Sequence, residues 1–398
     1  MVLTVKQNSY IHDSNSNVRL SSSFVAAIGG LMVTTGCSII SLTFGALTYP
    51  YFLVLIAALG LMVPHIISQV RIKKRETIVL FILLSAQVLI FLLQGLFLYK
   101  GELSRSDFVY VTRNVAVLVL AYSLASLPKD VFTKLMKIIA TSHLVILATF
   151  IPRIRELFLQ SSLERFATEN FATAVWAEVA LGTVAAALLA RSNLALVLSL
   201  MVGGLFIAAT QMRGAGLSIA FAILSIGLFY RPRQVMEVIA VLCLVGIAFS
   251  GVLLKFDVIA QSLSEALMLD DPHRGISSGF SGRFDNILAG FQVFLQNPIV
   301  GVGGGNSDGN YTHNGVVMSL AQNGILVSLF FIFLACWAAV LSFRSRDARL
   351  FAVILAYGLF IQTAPRYLNI QVFPFLGIVA IAFSLVHRKN LLENSSPK

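Results

Sequence analysis

Long apolar runs dominate the chain, and short polar joints separate them. The runs fall at roughly 22–43, 47–69, 77–98, 108–126, 134–151, 171–190, 193–210, 214–230, 234–254, 314–341, 347–363 and 370–387. Each is about twenty residues, long enough for a helix to cross a hydrocarbon layer roughly 30 Å thick. Backbone groups in such a layer must satisfy one another within the segment, so each run is predicted to be a helix. The short alternating segments of a membrane β-barrel are absent. The predicted fold class is therefore an all-α integral membrane protein with about twelve transmembrane helices.

One joint is much longer than the others. The pattern divides the chain into a polar tail at 1–21, nine spans within 22–254, a long loop at 255–313, three spans within 314–387 and a second tail at 388–398. The loop begins with an amphipathic stretch around Ile259–Leu269 and continues through an acidic, Gly- and Ser-rich part, Asp270–Ser281. A second helical stretch, Arg283–Leu295, precedes a tight turn at Gly301–Gly305. Long ordered loops in compact proteins are usually lids or binding elements. The first apolar run lacks a short h-region with a cleavage site, so it is expected to remain as a span.

Composition agrees with this pattern: 57% of residues are hydrophobic and only 12% are charged. A soluble domain is nearer a quarter charged. The net charge of +11 would suggest nucleic acid in a soluble protein. Here the basic residues sit in clusters between apolar runs, which is a topology signal, and nucleic-acid binding is excluded as a reading. Arg71–Arg75, Lys129–Lys137, Arg191, Arg231, Arg233, Arg344–Arg349 and the two tails hold eighteen of the 29 Lys and Arg residues. That side is predicted to be cytoplasmic, with both termini inside. The other side carries isolated arginines, whose planar fork suits phosphate better than an ammonium does. Cys37, Cys243 and Cys336 lie within apolar runs without metal-ligand spacing and read as small core residues.

Three short segments carry candidate chemistry, all on the outer side. Thr210-Gln211-Met212-Arg213-Gly214-Ala215 joins two spans so tightly that Arg213 must stay near the membrane surface. Ser281-Gly282-Arg283 opens the second helical stretch of the loop, where free N–H groups favour an anion. Asn297-Pro298-Ile299-Val300-Gly301-Val302-Gly303 leads to Tyr311-Thr312-His313-Asn314-Gly315, where the chain re-enters the membrane. The Gly run is not a Walker motif, because no Lys-Ser/Thr follows. It reads as a turn that brings the loop back to the membrane. His313 is the side chain best suited to exchange a proton near neutral pH. His65 and His143, inside apolar runs, read as packed or hydrogen-bonded residues.

The order of Arg283, the Asn-Pro-x-x-Gly-x-Gly turn, His-Asn at the head of an apolar helix, and Gly324 about ten residues on resembles the O-antigen ligase and polymerase family. Thr210–Ala215 resembles the family's Thr-x-Ser-Arg-Gly-Ala segment, with Met212 where Ser is usual. Arg165, ahead of Asn170, loosely resembles a third family feature. The resemblance covers roughly 195–340.

It implies a GT-C-like glycan transferase of the bacterial inner membrane, with its active site facing the periplasm. The donor would be a glycan on undecaprenyl diphosphate, and the acceptor a sugar hydroxyl on another lipid-linked glycan or on lipid A core. Membrane lipids and a chain-length regulator protein are the other candidate partners. No metal and no cofactor are expected. The outer acidic residues, among them Glu102, Asp107, Asp270, Asp271 and Asp285, form no DxD pair. His313, Arg213 and Arg283 are the expected catalytic residues, and Arg165, Asn314 and Arg366 the expected substrate contacts. A repeat-unit polymerase is favoured over a ligase. The reading from another class is a flippase or other twelve-helix carrier, which should place ionisable groups at mid-membrane; His65, His143 and Glu178 are its candidates.

Overall fold

The computed structural model describes residues 22–44, 49–72, 74–97, 105–154, 173–210, 212–230, 232–233, 279–303, 314–363 and 372–387. These residues are helical apart from turns and joints, and no strand occurs among them. The helices are α1 (22–44), α2 (Tyr49–Ile72), α3 (Lys74–Phe97), α4 (Arg105–Ala125), α5 (Lys129–Thr149) and α6 (Thr173–Leu189). They continue with α7 (Asn193–Thr210), α8 (Arg213–Tyr230), α9 (Gly279–Gln296), α10 (Gly315–Arg344), α11 (Ala348–Phe360) and α12 (Val372–Val386). α1 passes through a π-helical turn at Met32–Gly36.

Four helical segments are long and apolar enough to cross a membrane: Ser22–Ile40, Lys129–Thr149, Asn193–Thr210 and Gly315–Arg344. Seven shorter apolar helices accompany them among the described residues. The protein is thus a helical membrane protein. α9 is the second helical stretch expected within the long loop. The expected span at 234–254, both tails and residues 255–278 and 304–313 of the loop lie outside the described residues.

α6 lies at the centre. Every residue from Trp176 to Ala190 is buried, so the helix has no lipid face. A helix that is apolar on all sides belongs inside a bundle. It packs against α5, α7, α8, α11 and α12. Alanine is its commonest residue, which lets neighbouring backbones come close where lipid supplies no hydrophobic drive for helix association. Trp176 fills the remaining space, stacked on Phe206 at 5.6 Å and meeting the Phe150 edge at 4.6 Å between ring centroids. α12 is nearly as buried. A β-carbon on its Gly377 would stand 2.4 Å from the Tyr357 ring, so α11 and α12 can pack this closely only with glycine there. The periphery is the reverse: Leu53, Ile56, Leu194 and Met201 on α2 and α7 are at least 65% exposed, an apolar surface suited to lipid.

Candidate functional site

Two of the three singled-out segments meet at one end of the bundle, and the residues that join them come from a third place. The head of α10 is fixed by Asn314. Its Oδ1 accepts from the N–H groups of Val316 and Val317, both at 3.0 Å, which caps the helix. Its Nδ2 donates to Gln362 Oε1 at 3.1 Å, and Gly315 N–H donates to Ile361 O at 2.6 Å. Ile361–Thr363 is the turn that ends α11, so the start of α10 is tied to the end of its antiparallel neighbour.

The same turn holds the start of α8. A β-carbon on Gly214 would lie 2.1 Å from Thr363 Oγ1, so only glycine allows this contact. Ala215 and Thr210 beside it are fully buried. Met212 occupies the capping position of α8, because its carbonyl accepts from Ala215 and Gly216 N–H at 3.1 Å. A serine there would offer an oxygen to the first free N–H groups, and methionine cannot. The departure from the family pattern therefore falls on a helix cap.

Arg213 is the first residue of α8, and Arg283 lies in the second turn of α9. Their side chains, and the whole of His313, Arg165 and Arg366, lie outside the described residues. Asn314, expected as a substrate contact, has its carbonyl oxygen and one amide hydrogen committed to the α10 cap and to Gln362. The heads of α8 and α10 bring two helix N-termini to one end of the bundle, and each contributes partial positive charge.

The Asn-Pro-x-x-Gly-x-Gly turn does something the sequence did not suggest. It enters the bundle and fills a break in α10. Gly324 has φ 71° and ψ −176°, a conformation essentially confined to glycine, and α10 divides there. At about 1.5 Å per residue, the break lies about 13 Å along the helix from Gly315. Breaking the helix frees the carbonyls of Ala321 and Gln322. Val302 and Gly303 N–H donate to them at 2.8 and 3.1 Å. Ile325 N–H, which has lost its partner in the helix, donates to Pro298 O at 2.9 Å. The side chain of Gln94, from α3, donates to Val300 O at 2.6 Å and Gln322 O at 2.7 Å. Asn323 Nδ2, at the break, donates to the Tyr110 hydroxyl at 3.2 Å. The guanidinium of Arg113 stands 5.3 Å over the Tyr110 ring. Non-helical backbone at membrane depth is tolerated where protein groups satisfy it, as here. Thus Asn297–Gly303 and Gln322–Gly324 are two halves of one structural unit.

Gln94, Tyr110, Gln362 and Thr363 were not singled out in the sequence. Gln94 had a signal, as one of two amides, with Gln87, within an apolar run. The other three had none. His65 and Glu178 are buried; His65 Nε2 lies 3.0 Å from Ser126 Oγ between α2 and α4, a packed and bonded histidine as expected. His143 is fully buried as well.

The arrangement is that of a polytopic helical membrane protein with two of its distinctive segments at helix heads on one end. Residues 194–332 match the family model described as O-Antigen ligase, which spans α7, α8, α9 and the first two-thirds or so of α10. This match supports assignment to the O-antigen ligase and polymerase family, and with it a membrane glycan-processing function acting on glycan and lipid-linked substrates. No curated protein matches the chain.

Proposed function

We propose that this protein moves an oligosaccharide from undecaprenyl diphosphate to a sugar hydroxyl at the outer leaflet of the bacterial inner membrane, as a repeat-unit polymerase. One observation carries the reading: the Ile361–Thr363 turn ties the heads of α8 and α10 together. Residues adjacent to Arg213 and His313, about a hundred positions apart in the chain, therefore share one end of the bundle.

The acceptor oxygen attacks the anomeric carbon as the bond from that carbon to the diphosphate oxygen breaks. The diphosphate leaves with the electron pair, and His313 takes the hydroxyl proton as general base. Departure builds negative charge on the diphosphate. Arg213, Arg283 and the two helix N-termini stabilise that charge without a metal. Displacement from the opposite face inverts the anomeric configuration. Arg165 and Arg366 contact the donor or acceptor. Asn314 acts first as a positioning residue, because its cap fixes the backbone next to His313.

The test is glycan transfer by variants in a strain lacking the native protein. His313→Ala is expected to abolish product while the protein remains folded and inserted. Arg213→Lys is expected to lose at least about a hundredfold, because a point charge does not reproduce the bidentate fork. Product at the native level from His313→Ala rules out the general-base role. The knockout phenotype separates the two family activities. Single-repeat product on lipopolysaccharide marks a missing polymerase, and unmodified core marks a missing ligase.

A further inference from the structure

The opposite end of the bundle holds a second feature that glycan transfer does not use. The starts of α5, α7 and α11 come together there around a cavity of about 410 Å³. Lys129, Lys134, Arg191 and Arg349 line it, against only two carboxylates, Asp130 and Asp347. Asp347 is already engaged. It caps α11 through Leu350 N–H at 3.3 Å and forms an ion pair with Arg191. Pro128 precedes α5 without providing a side-chain cap, which leaves the first N–H groups of that helix open.

Two further observations point to an anion site. Arg349 donates through one Nη to Asn193 Oδ1 at 2.5 Å, while its other Nη is buried and has no partner. A buried guanidinium nitrogen without an acceptor is costly unless a ligand supplies one. Arg191 holds φ at 55°, where glycine is the ordinary choice after a helix. A side chain kept at such a position despite backbone strain points to a use for that side chain. Below the charged rim the cavity floor is apolar, with Phe132, Leu189, Leu350 and Phe383.

We infer that this cavity binds the headgroup of an anionic phospholipid, with its phosphate between Arg349, Arg191 and the lysines and the first carbons of its acyl chains on the apolar side chains. The location favours a lipid over a soluble anion. The cavity sits where apolar helices begin, at headgroup level, and basic pockets between membrane helices are suited to anionic headgroups. The site faces the leaflet opposite the glycan chemistry and does not depend on it.

The test uses the full chain purified in detergent, with thermal stability followed during titration. The three probes are phosphatidylglycerol, phosphatidylcholine and inorganic phosphate. Phosphatidylglycerol is expected to raise the Tm of the native protein, and the other two are not. Arg349→Gln and the pair Lys129→Ala, Lys134→Ala should weaken the apparent affinity about fivefold per cation removed. Arg191→Gly relieves the backbone strain, so it keeps the protein folded and still lowers the response to phosphatidylglycerol. Should Arg349→Gln fail to fold, the Arg191→Gly result decides. The inference is overturned if phosphatidylcholine or inorganic phosphate stabilises as well as phosphatidylglycerol, or if the variants respond like the native protein.

Discussion

α2 carries Pro64 in its interior and runs unbroken from Tyr49 to Ile72, whereas α10 contains no proline and breaks at Gly324. Local rules predict the reverse. Proline removes a helix hydrogen bond and crowds the preceding turn, while a glycine is merely a weak helix former. Surroundings explain the difference. Pro64 is exposed on the bundle surface, and nothing there competes for the backbone of α2. Gly324 meets Ile299 and Val300 from the loop turn, which supply backbone partners that a continuous helix would have had no need of. A membrane helix thus breaks where replacement hydrogen bonds are available, and a nominal breaker alone does not suffice.

The largest expected effect comes from Gly324→Ala. The added β-carbon would stand 2.0 Å from Ile299 O, and the φ of 71° would be strained in any case. A loss of about 3 kcal/mol or more is expected, with glycan transfer falling in parallel. Thermal unfolding in detergent together with the transfer assay measures both, and a native Tm would show that the break is not required. Gln94→Leu should act more mildly. It removes two donors from buried carbonyls and leaves the turn itself intact, for a loss of about 1–3 kcal/mol in the same melt. A neutral result would mean that the turn holds the break open without α3. Pro64→Ala should have the smallest effect, within about 1 kcal/mol of the native protein, because the helix already tolerates the proline. A large loss from Pro64→Ala would mean that the proline shapes α2 in a way its exposure conceals.

The helices were legible in the chain for a simple reason. An apolar run of about twenty residues has no water to satisfy its backbone, so it must bond within itself. That logic placed α2 through α8 and α10 through α12 close to their observed bounds. It also anticipated α9 from the helical pattern of Arg283–Leu295. It failed at the interior of α10, which read as one uninterrupted span. Asn323-Gly324 is a turn-prone pair, but the groups that replace the lost helix hydrogen bonds lie in Asn297–Gly303.

The candidate site was legible only as separate segments. Arg213, Arg283 and His313–Asn314 stood out as polar residues at junctions of apolar runs, and Gly214 and Asn314, which neighbour Arg213 and His313 in the chain, come to one end. The residues between them did not stand out. Gln362 and Thr363 look like an ordinary helix end, and Thr363 acquires meaning only from its contact with Gly214. Asn314 stood out as a substrate contact, and its part in capping α10 and bonding Gln362 became visible only in the fold.

The sequence by itself determined what each segment could be: an apolar helix, a basic joint, a turn rich in glycine, a helix head with a polar cap. These are local properties, governed by bonds between residues a few positions apart. Tertiary structure alone decided which segments meet. Gln94 reaches Gln322 across 228 positions, and Asn314 reaches Gln362 across 48. Such pairings depend on how closely packed helices satisfy one another's freed backbone groups. No periodicity along the chain encodes that choice.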